Sequence, residues 1–304
     1  MKITAGVTNL SEVKAALAGG ADEVYGGVLG VTNHRPMTPE YSFPDLGAFA
    51  AAIRTAHAAG RRIHFLANEL YDDAGARRIA AVLMALGRWG VDGVLVRDPY
   101  LILLLRRMGF DREVILSSLA VAFNSEAVCL YRDLGVRRVV LPQHLCPAEI
   151  GALRRRVSIK MEAFFGKREY CKNVDGLCLF HNADTYQRPR RSYLCACGPG
   201  RRFTGYPCKV DLRRLPAGMA AHHEIDAYFH RGFLDDLRSL FRVNVEYLKL
   251  KRYRGTWLLS ELWLAKELLG MLRSGVSRRR YLKKGTEAIV YAREIREGHM
   301  VAPA

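Results

Sequence analysis

The stretch RIHFLANELYDDAGARRIAAVLMALGRWGVDGVLV, residues 62–96, contains one complete unit of the repeating pattern that decides the fold. Arg62–Ala67 is an apolar run of strand length, and Gly93–Val96 is a second one. Between them, Ala74–Trp89 carries apolar residues at helical spacing and is followed by Gly90, a residue type that commonly ends helices. A strand, a helix and a strand in this order predict a βαβ unit with parallel strands.

The same alternation extends in both directions over residues 1–165. About seven strand–helix units recur at a spacing of roughly 20–30 residues. A doubly wound sheet would also fit, but no G-x-G-x-x-G motif follows the first predicted strand, Ile3–Val7, and this weakens the dinucleotide-binding alternative. The number and even spacing of the units therefore predict an α/β fold of the TIM-like (β/α)8 barrel type.

The alternation breaks after the seventh predicted strand, Ser158–Phe165. Residues 167–223 lack periodicity and read as a cysteine-rich insertion, which would lie over the mouth of the barrel because strand seven ends there. Regular structure resumes with a helix at Gly232–Phe241 and a strand at Val245–Leu250. We assign residues 1–275 to the barrel, including the insertion, and residues 276–304 to a basic C-terminal tail ending in a helical piece, Lys284–Arg296.

The composition of the chain limits which class of protein it can be and indicates which partners it favours. The 304 residues have a formal net charge of +17, which favours anionic partners such as RNA, acidic lipid headgroups or phosphorylated or carboxylate substrates. An arginine-rich solvated surface explains the charge equally well, although residues 188–214 are locally dense in arginine. No apolar run has the length of a membrane span, and the N-terminus does not resemble a signal peptide, so we expect a cytoplasmic protein.

Five of the seven cysteines fall within residues 171–208. In the cytoplasm clustered thiols are more often metal ligands than disulfides. The paired C-x2–4-C knuckles of zinc fingers are absent, and the irregular spacing favours an iron–sulfur site while leaving zinc open. The spacing is Cys171-x6-Cys178-x16-Cys195-x-Cys197-x10-Cys208.

Polar residues at the predicted strand ends are candidates for chemistry at the mouth. Asn68 and Glu69 follow the third strand, and Glu162 lies on the seventh. We take these three as the catalytic candidates, since a carboxylate can act as acid or base if burial raises its pKa. A structural hydrogen bond is the alternative role for each. Further candidates at the mouth are Glu23, Tyr25, Ser117, Ser118 and Gln143, with His34 and Arg35 in the loop after strand two as holders of an anion.

Several segments resemble the collagenase-like peptidase U32 family, whose catalytic type is unknown. The resemblance rests on Ala21–Gly27, His64–Leu70, Ser117–Ala127 and Leu134–Pro142, and most specifically on the spacing of the first three clustered cysteines. Tyr206-Pro207-Cys208 stands where a later family cysteine is expected, and Gly232–Leu250 is similar to the helix and strand that follow.

The resemblance implies a 4Fe–4S cluster held by Cys171, Cys178, Cys195 and Cys208. The chain departs from the family pattern at Leu194–Pro199, so that Cys197 is an alternative fourth ligand. Family members with this spacing take part in oxygen-independent hydroxylation of the ubiquinone ring or of RNA bases. The resemblance thus implies a quinone precursor or RNA as substrate, with a second family member as a further partner.

Two other function classes stay open. The first is a zinc-stabilised RNA-binding protein without redox chemistry, in which Tyr186, Tyr193, Phe203 and Tyr206 could stack on bases among the arginines. The second is the peptidase that the family name suggests. The sequence contains neither H-E-x-x-H nor G-x-S-x-G, which weakens the peptidase reading.

Overall fold

The computed structural model describes residues 1–31, 33, 41–166, 232–250 and 255–302. Within these ranges eight parallel strands pair in chain order, and β8 pairs with β1 to close a barrel. The strands are β1 (Lys2–Gly6), β2 (Glu23–Gly26), β3 (Arg62–Ala67), β4 (Gly93–Val96), β5 (Glu113–Leu116), β6 (Arg138–Val140), β7 (Lys160–Phe164) and β8 (Tyr247–Lys249). The predicted TIM-like (β/α)8 barrel is confirmed.

Helices follow the strands and cover the outside of the barrel. They are α1 (Leu10–Ala18), α2 (Leu46–Ala58), α3 (Asp73–Arg88), α4 (Pro99–Arg107), α5 (Ser125–Asp133), α6 (Pro147–Arg156), α7 (Phe233–Arg242), α8 (Thr256–Arg273) and α9 (Arg278–Arg296). Asn9, Asp45, Asp72 and Asn124 each accept a hydrogen bond from the backbone N–H of the third residue of the helix that they precede. These side chains satisfy N–H groups that have no partner within the helix, so the sequence fixes where each of these helices begins.

Apolar side chains form two separate layers. The larger one lies between the strands and the helices, where residues such as Phe65, Val94 and Leu116 are fully buried. A smaller cluster fills the inside of the barrel and consists of Tyr25, Leu66, Leu95, Ile115 and Val140, with Phe164 packed against it. Alternating residues of one strand therefore enter different cores, as the period of two in a strand requires.

The C-terminal region contains more regular structure than the sequence predicted. The helix expected at Lys284–Arg296 begins at Arg278 and packs antiparallel to α8, since Ser260 Oγ donates to the Ala292 carbonyl and Thr256 Oγ1 donates to the Arg296 carbonyl. Ser277 caps it by accepting from the Arg280 N–H. Among the described residues, no helix is both long and apolar enough to cross a membrane.

Candidate active site at the mouth of the barrel

The carboxyl ends of β3, β4 and β5 bring a set of polar side chains together. Asn68 and Glu69 follow β3, Arg97 and Asp98 follow β4, and Ser117 follows β5. This is the end of a (β/α)8 barrel at which enzymes of this fold carry out their chemistry.

Glu69 and Arg97 form a buried ion pair at this mouth. Glu69 Oε1 lies 3.7 Å from Arg97 Nη1, and the two residues are 5 % and 9 % exposed. Glu69 Oε1 also accepts a hydrogen bond of 3.0 Å from the Leu70 N–H. A carboxylate removed from water in this way needs a positive partner, and Arg97 provides it.

Neighbouring hydrogen bonds hold the loops of the mouth in place. Asn68 Nδ2 donates to Ser117 Oγ at 3.3 Å, which connects the ends of β3 and β5. Asp98 accepts from the Tyr71 N–H at 3.1 Å and from the Tyr100 N–H at 2.8 Å, so it connects the loop after β3 to the start of α4. Burial raises the pKa of the Tyr71 hydroxyl well above its usual value.

The loop after β5 contains an unusual backbone conformation. Val121 ends the 3₁₀ turn Ser118–Ala120 with φ of 61°, in the left-handed region that β-branched residues rarely adopt. Such strain costs on the order of 1–3 kcal/mol and is found most often at binding and catalytic sites. Its position beside Ser117 and Ser118 agrees with a functional role for this end of the barrel.

The structure separates the predicted site residues into two groups. Asn68, Glu69 and Ser117 come together at the mouth as the sequence predicted, and Gln143 follows β6 at the same end. The positions predicted for Glu23 and Glu162 are wrong. Glu23 opens β2 at the opposite end of the barrel, and Glu162 is the third of five residues in β7, buried inside it.

Both carboxylates belong to an ion-pair network centred on Arg138, the first residue of β6. Arg138 donates to Glu23 at 2.6 Å, to Glu113 at 2.7 Å and to Glu162 at 3.3 Å, and its guanidinium carbon lies 3.6 Å from the centroid of the Tyr247 ring. Arg138 is fully buried. The network joins four strands of the barrel, so its first role is to hold them in register. A catalytic role for Glu162 stays a prediction.

Further basic groups surround these carboxylates. His64 Nε2 lies 2.9 Å from Glu23, Lys249 Nζ lies 2.8 Å from Glu162, and Arg62 Nη2 lies 2.8 Å from Glu113. Gly93 makes room for the network, because a Cβ atom there would lie 2.7 Å from the Glu113 carbonyl oxygen and 2.9 Å from His64 Nδ1. The sequence offered one usable signal, namely charged residues at the first position of otherwise apolar strands.

The network shifts the pKa values of its members. Burial alone would raise the pKa of Glu113, but Arg138 and Arg62 outweigh it and lower that pKa to about 2. Burial would likewise raise the pKa of Glu23, but His64 and Arg138 hold it well below its usual value. The pKa of Arg138 is raised, since its three carboxylate partners outweigh its burial. Glu23, Glu113 and Arg138 are therefore ionised at neutral pH.

We expect the stability of the protein to fall in acid through this network. Glu113 has its pKa lowered from 4.5 to about 2, so its contribution is present above pH 4.5 and is lost as the pH falls through the folded value. The full loss is about 3 kcal/mol for a shift of this size. Urea unfolding between pH 6 and pH 3 measures the part of this loss that falls above pH 3, about 2 kcal/mol. In Glu113→Gln the free energy of unfolding at pH 6 should be lower than in the wild type, and it should fall less steeply as the pH is lowered. A slope equal to that of the wild type would contradict the assignment.

The clustered cysteines and the loop residues His34 and Arg35 lie outside the described residues. The predicted ligands Cys171, Cys178, Cys195 and Cys208, and the alternative Cys197, therefore stay predictions. Cys129, on α5, is half-buried, and Cys146, the residue before α6, is exposed.

Comparison with known proteins places the chain in a family. The sequence profile of peptidase family U32 matches residues 8–197, which is more than half of the chain. The chain belongs to peptidase family U32. The matched segment includes the mouth residues Asn68 and Glu69 and runs through Cys195 and Cys197, but it ends before Cys208.

Curated relatives match over part of their length. The chain is 28 % identical over 187 residues to tRNA hydroxylation protein P1 of Bacillus subtilis, covering 62 % of this chain and 43 % of that protein. It is 29 % identical over 174 residues to tRNA hydroxylation protein P of Escherichia coli, covering 56 % and 37 %. The chain thus spans less than half the length of these relatives.

Among solved structures, the U32 peptidase Mk0906 superposes with a TM-score of 0.56 at 17 % identity. The match covers 84 % of this chain and 94 % of that one. At this level of identity the likeness supports the barrel fold and says nothing about activity.

Proposed function

We propose that the protein takes part in the hydroxylation of a tRNA base, with the mouth of the barrel as the place where the base binds. The observation that carries the proposal is the match of the chain to relatives named tRNA hydroxylation proteins. The match to the family profile includes the segment with Asn68 and Glu69. The net charge of +17 supports an RNA substrate over an uncharged quinone precursor. A second family member as partner stays a prediction.

At the mouth Glu69 is the group best placed to handle a proton. Hydroxylation of a ring carbon is a two-electron oxidation, and an oxygen-atom donor would supply the oxygen and take up the two electrons. In this exchange Glu69 would accept the proton that the ring carbon loses and pass it to the new oxygen. Arg97 would hold the carboxylate in a fixed orientation, and Asn68 would position the loop through Ser117. Glu162 would act only indirectly, through Lys249 and Arg138.

We further propose that Cys171, Cys178, Cys195 and Cys208 hold a 4Fe–4S cluster, with Cys197 as the alternative fourth ligand. The support is their spacing and the family to which the chain belongs. A bound cluster supplies one-electron transfer, and neighbouring charge tunes its reduction potential. Zinc at the same residues is the alternative, and it would leave the protein without redox chemistry.

The contacts of Ser117 disfavour peptide hydrolysis by this hydroxyl. Ser117 Oγ accepts from Asn68 Nδ2 and from the Leu119 N–H. A serine nucleophile requires a general base within hydrogen-bond reach, usually an imidazole. Within the described ranges Ser117 contacts an amide instead.

We expect Glu69→Gln to lower the level of tRNA hydroxylation at least tenfold, since positioned acid–base groups contribute about 10²–10⁴ to rate. Glutamine keeps the size of the side chain but removes the charged partner of Arg97, so circular dichroism and urea unfolding of the variant check the fold. The measurement is mass spectrometry of tRNA nucleosides from cells lacking the native gene and carrying each variant. Glu126→Gln, which changes an exposed carboxylate in the first turn of α5, should match the wild type.

Two results would contradict the proposal. A wild-type gene that restores no hydroxylated nucleoside would rule out a role in tRNA hydroxylation. Equal nucleoside levels in Glu69→Gln and the wild type would remove Glu69 from the reaction.

A further inference from the structure

The first two turns of α9 carry a concentration of positive charge. Arg278, Arg279, Arg280, Lys283 and Lys284 fall within seven residues, and no acidic residue lies among them. Arg278 pairs with Asp235 of α7 at 2.7 Å. The other four side chains are exposed, and among the described residues they make neither an ion pair nor a side-chain hydrogen bond.

This placement opposes the stability of the helix itself. The N-terminal end of a helix carries partial positive charge and favours acidic residues, yet here it carries cations only. Arg279 with Lys283, and Arg280 with Lys284, are also like-charged pairs four residues apart, which destabilise a helix. A solvated surface without a partner gives no reason for this arrangement.

The second half of the same helix follows the ordinary pattern. Arg293 donates to Glu297 at 2.8 Å. Arg296 lies 3.9 Å from Glu261 and 4.5 Å from the centroid of the Trp257 ring. The two halves of one helix therefore differ: the nearest acidic residue of the helix after Lys284 is Glu287, and among the described residues no ion pair joins it to Lys283 or Lys284.

The fold presents the four cations on a fixed support. Tyr281 is fully buried, and Gly285 packs against Leu234 of α7 and Leu268 of α8, where an added Cβ would lie 2.9 Å from Leu234. Because these inward residues alternate with the cations, Arg279, Arg280, Lys283 and Lys284 all project outward from an anchored helix. Most of its apolar face is covered by α7 and α8, although Val290, in the second half of the helix, is 51 % exposed. The helix therefore does not present the broad apolar face that binding to a lipid bilayer requires.

We infer that Arg279, Arg280, Lys283 and Lys284 form a phosphate-binding surface that grips the backbone of the RNA substrate. The inference rests on the proposed function for the choice of RNA. Arginine and lysine contacts to phosphates supply affinity without reading sequence, and they make binding dependent on salt. This surface adds a binding role to a helix outside the barrel, separate from the mouth.

The test is tRNA binding by the full chain carrying Arg279→Gln, Arg280→Gln, Lys283→Gln and Lys284→Gln together. Glutamine is a good helix former and removes the like-charge pairs, so the helix should persist, and circular dichroism checks this. We expect affinity for an unmodified tRNA transcript to fall at least about tenfold near 0.1 M salt. The slope of log K against log salt should become less negative by about 3.

A matched control removes the same net charge elsewhere. Arg107, Arg155, Arg156 and Arg242 are exposed and lie in the last turns of α4, α6 and α7, where cations suit the helix dipole. Their joint replacement by glutamine should change affinity less than threefold. Equal losses in the two fourfold variants, or no loss in the first, would overturn the inference. So would wild-type protein that binds poly-glutamate as tightly as tRNA.

The outcome is independent of the catalytic proposal. Binding of an unmodified transcript measures the α9 surface, whereas nucleoside analysis measures hydroxylation. If the gene restored no tRNA hydroxylation but the α9 variant lost RNA binding, the surface would stand and the proposed function would fall. If the gene restored tRNA hydroxylation but the α9 variant bound RNA like the wild type, the phosphate-binding surface would be ruled out and the proposed function would stand.

Discussion

Arg138→Met should lower the free energy of unfolding by about 3–5 kcal/mol, because it removes the central cation that three buried carboxylates share. Arg138 is fully buried and contacts Glu23, Glu113 and Glu162, all of them nearly fully buried. Methionine fills part of the space but donates no hydrogen bond, so the three carboxylates lose five donated bonds within 3.3 Å. Urea unfolding at pH 7 measures the loss.

Arg137→Met is the matched control. Arg137 precedes Arg138 in the chain but is exposed, and its backbone N–H donates to the Val114 carbonyl in both proteins. Its replacement should change stability by less than about 0.5 kcal/mol. An equal loss of unfolding free energy in Arg137→Met and Arg138→Met would show that the net charge of the chain, and not the buried network, causes the loss.

The pH dependence of stability distinguishes the loss of the ion pairs from a simple loss of packing around residue 138. Without Arg138 the carboxylates have raised pKa values and take up protons at higher pH, which relieves their buried charge. The difference in stability between wild type and Arg138→Met should therefore narrow as the pH falls towards 4. A difference that stays constant over this range would assign the loss to packing.

The strands were predictable because most are apolar runs bounded by glycine or charge. Arg62–Ala67 and Gly93–Val96 are observed with the predicted bounds, and α3 differs from its prediction by one residue at each end. The predicted bounds of a strand are less accurate where its apolar run continues beyond the residues that pair with neighbouring strands. Ser158–Phe165 shortens to Lys160–Phe164, since pairing with β6 and β8, which the sequence does not reveal, decides the ends.

The ion-pair network could not be predicted in the same way. Arg138 and Glu23 are 115 residues apart, and only closure of the barrel brings them within hydrogen-bond distance. Periodicity shows that Glu23 and Glu162 point inward but does not give the height of a side chain along the barrel axis. The sequence therefore predicts both at the mouth in error, whereas it predicts the position of Asn68 and Glu69 correctly because they follow the last residue of β3.

Cys195→Ser should abolish the brown colour and the iron content of protein purified without oxygen, since a cluster needs its thiolate ligands. The wild type should carry about four irons per chain with matching acid-labile sulfide. Cys146→Ser is the control, because Cys146 is exposed at the N-cap of α6, where serine is well tolerated, and lies outside the predicted ligands. It should keep both colour and iron.

The fourth ligand is decided by a pair of variants. Cys208→Ser should lose the cluster while Cys197→Ser keeps it, and the reverse result would assign Cys197, the residue at which the family match ends. A colourless wild-type protein with about one zinc per chain would contradict the iron–sulfur proposal and favour the zinc-stabilised alternative. Because the readout is metal and colour, it does not depend on tRNA hydroxylation, and a protein that holds a cluster without modifying tRNA would separate the cofactor from the substrate.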